Sequence, residues 1–198
     1  IILSVLLFNL YSSYSQQKES PLVNSFHEHI KLKNQSNIHL DWISLGPVLN
    51  SARVESIQVD EKNPGTMYVA FGSGNLWKTV NNGITWKPIF ENQPSLGIGD
   101  IALAPSNSDI IYVGTGESLK KARNFTMPGT GMYRSTNGGD TWKHIGLEDS
   151  WHIGEISVHP TNPDIVLVSV LGHFWSKNVN RGIYKTEDGG KSWKHVLY

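Results

Sequence analysis

The stretch STNGGDTWKHIG, residues 135–146, decides the fold because related copies of it occur at two other places in the chain. The three copies are KTVNNGITWKPIF (78–90), RSTNGGDTWKHIG (134–146) and KTEDGGKSWKHVL (185–197). Each has a hydroxyl residue, then Asn or Asp, then Gly, then Thr or Ser followed by Trp. The copies are separated by about 50 residues, and self-similarity of that period indicates one supersecondary unit repeated along the chain.

The residues upstream of each copy predict the rest of the unit. Apolar residues alternate at Ile57/Val59, Ile101/Leu103 and Ile156/Val158. This period-two pattern is typical of a half-buried strand, and an Asn-containing turn and a second strand follow it. A third strand ends in an apolar-aromatic-basic step before the motif, and a fourth begins at the Trp. We name these strands A to D.

Four antiparallel strands in each repeat predict a β-propeller blade, so the expected fold class is all-β. The predicted blades span about residues 53–90, 98–146 and 153–198. Segment 41–47, within DWISLGP, matches a strand D without its own motif, with Trp42 aligned to Trp142. Three blades would leave sheet faces and edges uncovered. We therefore expect about three blades here, as the N-terminal part of a longer propeller whose remaining blades are missing from this chain.

The motif Ser/Thr-x-Asp/Asn-x-Gly-x-Ser/Thr-Trp resembles the Asp-box, also called the BNR repeat. The segments WISLGP, YVGTGE and VLGH are similar to those of exported bacterial Asp-box proteins, described as glycosyl-hydrolase-like or sortilin N-terminal-domain-like. The resemblance covers residues 41–198. It implies three functional groups, namely sialidases, xyloglucan-active glycoside hydrolases and sortilin-type peptide-binding receptors. Such a resemblance defines the fold better than the activity.

The residue types of the motif suit a hairpin turn between strands C and D. Asn and Asp bond nearby backbone N–H groups, Gly accepts a positive φ, and Trp covers the hairpin. We therefore predict structural roles for Thr79, Asn81, Gly83, Trp86, Ser135, Asn137, Gly139, Trp142, Thr186, Asp188, Gly190 and Trp193.

Charge and cysteine content exclude several classes of protein. Seventeen Lys and Arg balance seventeen Asp and Glu, so no overall field attracts nucleic acid or an anionic membrane. We read the basic residues at 120–123 as a solvated loop and predict no nucleic-acid partner. The absence of Cys excludes disulfides, thiolate metal sites and a Cys nucleophile. No metal site and no cofactor are predicted.

The first fifteen residues, IILSVLLFNLYSSYS, have the apolar run and small-x-small ending of a secretory signal peptide without its basic start. The run is shorter than the ~20 apolar residues of a membrane span, so no span is predicted. Export without Cys favours a bacterial protein that is secreted, periplasmic or at the cell surface. Residues 16–40 are mostly polar without a clear period and are expected to form a linker, with at most one short amphipathic turn.

Function is expected at the mouth of the central channel, which the B–C loops and D–A crossovers surround. Arg53 and His152 occupy equivalent positions in two crossovers, and Asp100 and Glu155 follow at a second equivalent position. Their chemistry differs between blades, which is one observation in favour of a site. The alternative is that they begin strands and have local partners.

Two B–C loops contribute further candidates. Glu117 follows Gly114-Thr115-Gly116 in the longest loop, and His173 and Trp175 enter from the third blade. Long loops in compact folds tend to be functional or disordered. Glu117 is either presented to the channel or caps loop amides, while Trp175 either stacks on a sugar or packs its loop.

The sequence favours a binding module for a peptide, protein or carbohydrate ligand, with Arg53, His152, His173 and Trp175 as the expected contacts. The alternative is a glycoside hydrolase, which needs two carboxyl groups ~5 Å or ~6.5–9.5 Å apart. Glu117 with Asp100 or Glu155 would supply them. A sialidase is disfavoured, because the Arg-Ile-Pro signature of its arginine cluster is absent.

Overall fold

The computed structural model describes residues 20–37, 52–118 and 126–198, and in these ranges the strands form three antiparallel four-stranded sheets. The first sheet contains β1 (Val54–Val59), β2 (Met67–Phe71), β3 (Asn75–Thr79) and β4 (Lys87–Pro88). The second contains β5 (Ile98–Ala104), β6 (Asn107–Thr115), β7 (Met132–Ser135) and β8 (Lys143–His144). The third contains β9 (Ile153–Val158), β10 (Val166–Val170), β11 (Gly182–Thr186) and β12 (Lys194–Leu197). Neighbours in sequence are neighbours in each sheet, so the predicted blade order A-B-C-D is confirmed.

A helix, α1 (Pro21–Gln35), occupies part of the segment for which the sequence suggested a linker with at most one short turn. The Ser20 side chain accepts a hydrogen bond from the Val23 N–H, and Pro21 occupies the first turn. Both features are typical of helix N-termini. A helix therefore begins here although the segment has no regular apolar period. No helix in the described ranges has the length and apolar character that a membrane crossing requires. The predicted signal segment 1–15 and strand 41–47 lie outside the described residues.

Two apolar clusters hold the sheets face to face. The cluster between the first and second sheets contains Tyr68, Ala70, Leu76, Phe90, Ile98, Ile101, Ile111, Val113 and Tyr133. The cluster between the second and third contains Ala102, Tyr112, Met132, Ile145, Ile153, Ile156, Val166, Val168 and Val170. In the second and third blades the alternating apolar positions Ile101 and Ile156 thus lie in the interfaces between blades, as a propeller requires. In the first blade Ile57 and Val59 are instead exposed, because no described residue packs on that face in either cluster.

Direct contacts between backbones join the inner strands β5 and β9. A Cβ atom on Gly99 would lie only 1.9 Å from the Ile153 carbonyl oxygen, so this approach requires glycine. Beside it, Asp100 Oδ2 accepts a 2.7 Å hydrogen bond from the Ile156 N–H. At the equivalent place between β1 and β5, Ser56 Oγ lies 3.5 Å from the Ile101 carbonyl oxygen.

The repeated motif forms the same C–D turn in each blade. In the second blade, Ser135 Oγ donates to Asn137 Oδ1 at 2.8 Å and accepts from the Gly139 N–H at 2.9 Å. Asn137 Oδ1 also accepts from the Thr141 N–H at 3.0 Å. Gly139 has a φ of +92°, which few other residues adopt. Thr79 with Asn81, and Thr186 with Asp188, repeat this arrangement.

The Trp of the motif connects its blade to the preceding one. Trp142 Nε1 donates to the Ile89 carbonyl at 2.7 Å, and Trp193 Nε1 donates to the Ile145 carbonyl at 2.6 Å. We call this contact the interblade joint. The basic residue of strand C makes a second connection, because Lys78 Nζ donates to the carbonyl of Gly138 in the next blade at 2.8 Å. The motif therefore builds the turn and also couples successive blades.

Replacing the motif hydroxyl should destabilise the fold. Ser135→Ala leaves the buried Gly139 N–H without its acceptor, so we expect the free energy of unfolding to fall by about 1–3 kcal/mol. Urea denaturation followed by circular dichroism measures the change. The exposed neighbour supplies the control, since Thr136→Ala should change stability by less than about 0.5 kcal/mol. Equal effects of the two substitutions would contradict the structural role of Ser135.

Candidate functional site

A cavity of about 460 Å³ lies where three of the predicted mouth segments meet. The second B–C loop, the crossover that follows the second blade and the third B–C loop all contribute to its wall. The lining residues are Thr126, Pro128, Trp151, His152, His173, Phe174, Trp175 and Ser176. We call this cavity the aromatic pocket.

Trp151 is held in the pocket by its backbone. Its φ of +55° and ψ of −46° are unusual for a residue with a side chain. The Trp151 carbonyl accepts a 2.7 Å hydrogen bond from the Gly129 N–H. A Cβ atom on Gly116 would lie 1.8 Å from that carbonyl oxygen, so the loop passes close to the crossover only because Gly116 is glycine. The Trp151 side chain stays 40% exposed.

Asp149 fixes the side chains on one wall of the pocket. Its Oδ1 accepts hydrogen bonds from Trp151 Nε1 at 3.1 Å and from His173 Nε2 at 3.0 Å. Asn180 Nδ2 donates to its other carboxylate oxygen. The Trp151 and His173 rings lie 4.0 Å apart between centroids. The carboxylate therefore sets the orientation of both rings before any ligand arrives.

His152 is buried at the back of the pocket and connects it to the second B–C loop. Its Nδ1 donates to the Glu117 carbonyl at 3.0 Å, and its ring stacks on Phe174 with centroids 4.0 Å apart and planes 11° apart. Burial, and then the charge of His173, lowers the pKa of His152 to about 4. His152 is therefore neutral at pH 7, where it holds the loop in place.

Glu117 and Arg53, both predicted at the mouth, form an ion pair between the second B–C loop and the start of the first blade. The Glu117 residue is fully buried, while 49% of the Arg53 side chain is exposed. Glu55 Oε1 lies 3.8 Å from Arg53 Nε, so one guanidinium faces two carboxylates. Burial raises the pKa of Glu55, and the Arg53 charge opposes that shift. Among the described residues no group donates a hydrogen bond to Glu117 Oε2.

Asp100 and Glu155 occupy different environments. The Asp100 carboxylate accepts the Ile156 N–H, and burial raises its pKa while hydrogen bonds from Ser56 and Ile156 oppose the rise. Glu155 lies exposed on β9. Ser56 and Asp100 bond the backbone of the following blade from equivalent positions. Chemical variation at this position thus has a structural explanation, because a hydroxyl reaches a carbonyl in one blade and a carboxylate reaches an amide in the next.

The structure brings the predicted residues into two groups. His152, His173 and Trp175 line the aromatic pocket, and Arg53 with Glu117 forms the neighbouring ion pair. The sequence interpretation missed Trp151, Asp149, Phe174 and Glu55. Trp151, Asp149 and Phe174 lie in the same mouth segments as the predicted residues. For Trp151 and Phe174 a signal was available in the sequence, because these aromatic residues have no counterparts in the other blades. Glu55 lies on β1, where its sequence context resembles that of any strand residue.

These sheets and their joints define a β-propeller of four-stranded blades. The chain belongs to the Sortilin-Vps10 family, because the family model described as sortilin, neurotensin receptor 3, matches residues 74–198. A curated relative, xyloglucanase Xgh74A of Acetivibrio thermocellus, is 25% identical over 179 residues, which cover 72% of this chain and 20% of the relative.

Solved structures show the same fold. An ancestral GH74 enzyme superposes with a TM-score of 0.53 and 20% identity, over 73% of this chain and 18% of the enzyme. The GH74 xyloglucanase of Xanthomonas campestris gives 0.50 and 18%, over 72% and 20%. YCF48 of Cyanidioschyzon merolae gives 0.51 and 18%, over 76% and 42%. The chain spans about a fifth of the length of the curated xyloglucanase relatives that it matches.

Acid should destabilise the protein through His152. Its pKa is about 4 in the folded state against about 6.5 unfolded, so the unfolded state binds the proton first. The stabilisation is complete above pH 6.5 and is lost as the pH falls toward 4, by up to about 3 kcal/mol. We expect His152→Asn to remove this part of the pH dependence, measured by urea denaturation between pH 7 and 4.

Phe174→Leu is the matched control, because it removes the stacked ring and keeps the imidazole. It should lower stability at every pH and preserve the acid-dependent loss. An unchanged pH dependence in His152→Asn would show that His152 is not the titrating group.

Proposed function

We propose that this chain is part of an exported propeller that binds a peptide, protein or glycan at the channel mouth through the aromatic pocket. The observation that carries the proposal is the pair of exposed indoles, Trp151 and Trp175, in a wall built from segments that do not repeat between blades. The Trp175 side chain is 69% exposed. Aromatic faces with polar edges are typical of ligand-binding surfaces.

The fixed geometry of the wall supports binding. Asp149 orients Trp151 and His173 by hydrogen bonds, so these rings lose little freedom when a ligand packs on them. Arg53 adds a half-exposed cation beside the pocket, joined to it through Glu117 and His152. A ligand with an apolar face and hydrogen-bonding groups at its edge matches this combination.

The proposal also includes the type of the repeated turn and the export of the protein. The repeated turn is an Asp-box, supported by the hydroxyl, Asn or Asp, Gly and Trp contacts that recur in all three blades. Export by a bacterium is supported by the apolar run at residues 1–15 and by the absence of Cys. Retention of the purified chain on peptide and glycan arrays tests the binding class directly.

Removing an exposed indole should weaken binding without unfolding the protein. We expect Trp175→Ala to lower affinity for an array-selected ligand by about tenfold or more, since aromatic contacts dominate such surfaces. Titration calorimetry with that ligand measures the change. Val179→Ala is the control, because Val179 is exposed in the same loop but does not line the pocket. Full affinity in Trp175→Ala would exclude the aromatic pocket as the binding site.

A glycoside hydrolase is the second candidate, favoured by the 25% identity to a xyloglucanase. The Asp100 carboxylate is engaged by the Ile156 amide, which argues against pairing it with Glu117. Glu55 is a better partner. A Cβ atom on Gly72 would lie 2.8 Å from Glu117 Oε1 and 2.9 Å from Glu55 Oε1. These two oxygens are therefore within about 6 Å of each other, near the ~5 Å of retaining enzymes.

Hydrolysis assays separate the two candidates. If the chain is a hydrolase, it should release reducing ends from xyloglucan, and Glu117→Gln should abolish that release while ligand binding persists. The binding proposal predicts retention of ligand with no release of reducing ends. Release that survives Glu117→Gln would exclude Glu117 as a catalytic residue.

A further inference from the structure

A groove of about 930 Å³ lies between the second and third blades, along β8, the edge strand of the second sheet. Strand D of the second blade and the crossover that follows it form one wall. The other wall comes from strand C and the C–D turn of the third blade. We call this groove the joint groove. It shares no lining residue with the aromatic pocket, so it is a separate surface.

Between the first and second blades, the Phe90 ring fills the corresponding space. Its centroid lies 5.2 Å from that of Tyr133 and 5.1 Å from that of Trp142, and it is nearly perpendicular to both rings. This edge-to-face packing is a favourable geometry for aromatic rings. Phe90 is 1% exposed and Tyr133 is 2% exposed. The Phe90 ring therefore closes the first joint to solvent.

The second joint lacks such a ring. Phe90 and Gly146 occupy the same position, four residues after the motif Trp of their blades. A Cβ atom on Gly146 would lie 3.2 Å from Trp193 Cδ1, so this position faces the indole on the opposite wall. Tyr184, the third-blade equivalent of the buried Tyr133, is only half-buried and lines the groove. The joint groove is thus the space that an aromatic side chain fills in the preceding joint.

The two aromatic rings of the groove are held in place by the protein itself. Trp193 Nε1 donates to the Ile145 carbonyl at 2.6 Å. The Tyr184 ring stacks on the His195 ring, with centroids 4.4 Å apart and planes 4° apart. Because neither ring has to be ordered when a ligand binds, the site is preorganised.

The charged residues of the groove favour an acidic occupant. Arg134, Glu148 and Asp149 have ionic or hydrogen-bonding partners within the protein. Lys143 and Lys191 also line the groove and are exposed, and neither forms an ion pair with another residue in the described ranges. The charge that the protein leaves without a counterion here is therefore positive.

We propose that the joint groove binds a segment of a partner protein that presents an aromatic side chain beside acidic residues. The aromatic ring packs against Tyr184 and Trp193, as Phe90 packs against their equivalents in the first joint. A carboxylate next to it pairs with Lys143 or Lys191. The partner thus completes an interface that already joins the two blades, and its binding does not require a ligand at the mouth.

Nitrogen-15 NMR of the full chain, titrated with the peptide acetyl-Asp-Phe-Asp-amide, tests the proposal. We expect the Trp193 indole signal to shift saturably, with a dissociation constant on the order of 1 mM. The signals of Trp175, at the mouth, and Trp77, in the first blade, should stay in place. Acetyl-Asp-Ala-Asp-amide should bind at least about tenfold more weakly, because it has no ring to bury.

Reversing one lysine tests the charge preference. Lys191→Glu should weaken binding of acetyl-Asp-Phe-Asp-amide by about threefold or more, because an attraction becomes a repulsion. Lys194→Glu is the matched control, since Lys194 is exposed in the same blade and does not line the groove. It should leave the affinity unchanged. Equal effects of the two substitutions would contradict the role of Lys191.

An intermolecular nuclear Overhauser effect between the peptide ring and the Tyr184 and Trp193 rings should accompany binding. Its absence at saturating peptide would overturn the proposal, as would equal binding of the alanine peptide or no Trp193 shift up to about 10 mM peptide. A shift confined to Trp175 would assign the peptide to the mouth and also exclude the groove. A Trp193 signal that moves with protein concentration alone would show that a second copy of the chain, rather than a partner protein, occupies the groove.

Discussion

The hydrogen bond from a motif indole to the preceding blade, made by Trp142 and Trp193, is the interaction on which this architecture depends. A four-stranded blade buries too little apolar surface to be stable alone, so its stability comes largely from its neighbours. The indole contributes a directional bond and a large apolar face at the same place. The same Trp also covers the C–D turn. A substitution that disturbs the turn therefore also disturbs the packing between blades. This explains why Trp is shared by all three motifs while the surrounding residues vary.

The inner strands and the mouth segments meet different requirements. Near the axis the backbones of neighbouring blades touch, and glycine or a short polar side chain occupies the contact, as at Gly99 and Asp100. The mouth segments lie beyond these contacts and are free to differ. Their aromatic and charged residues nevertheless form a connected set, because the Glu117 carbonyl receives the His152 imidazole and its carboxylate pairs with Arg53. A rigid frame therefore supports a variable surface.

The repeat made the strand order and the mouth segments predictable, because turn chemistry and apolar alternation are local properties of the sequence. The α1 helix was not expected, since its capping signals at Ser20 and Pro21 occur without an apolar period. The partners of the charged residues were also beyond the sequence. Asp100 bonds an amide in the next blade, and Arg53 faces Glu55 and Glu117 from different blades. Such pairings depend on how blades lie against each other, which no local pattern specifies.

Trp151 and Trp175 share a pocket but differ in how they are attached to it. The Trp151 backbone is fixed by contact with Gly116 and by a hydrogen bond from Gly129, in a conformation that few residues tolerate. Trp175 lies in a loop and is mostly exposed. Substitution of Trp175 would therefore leave the frame of the proposed binding pocket intact, whereas a change at Trp151 must be accompanied by changes in the second B–C loop.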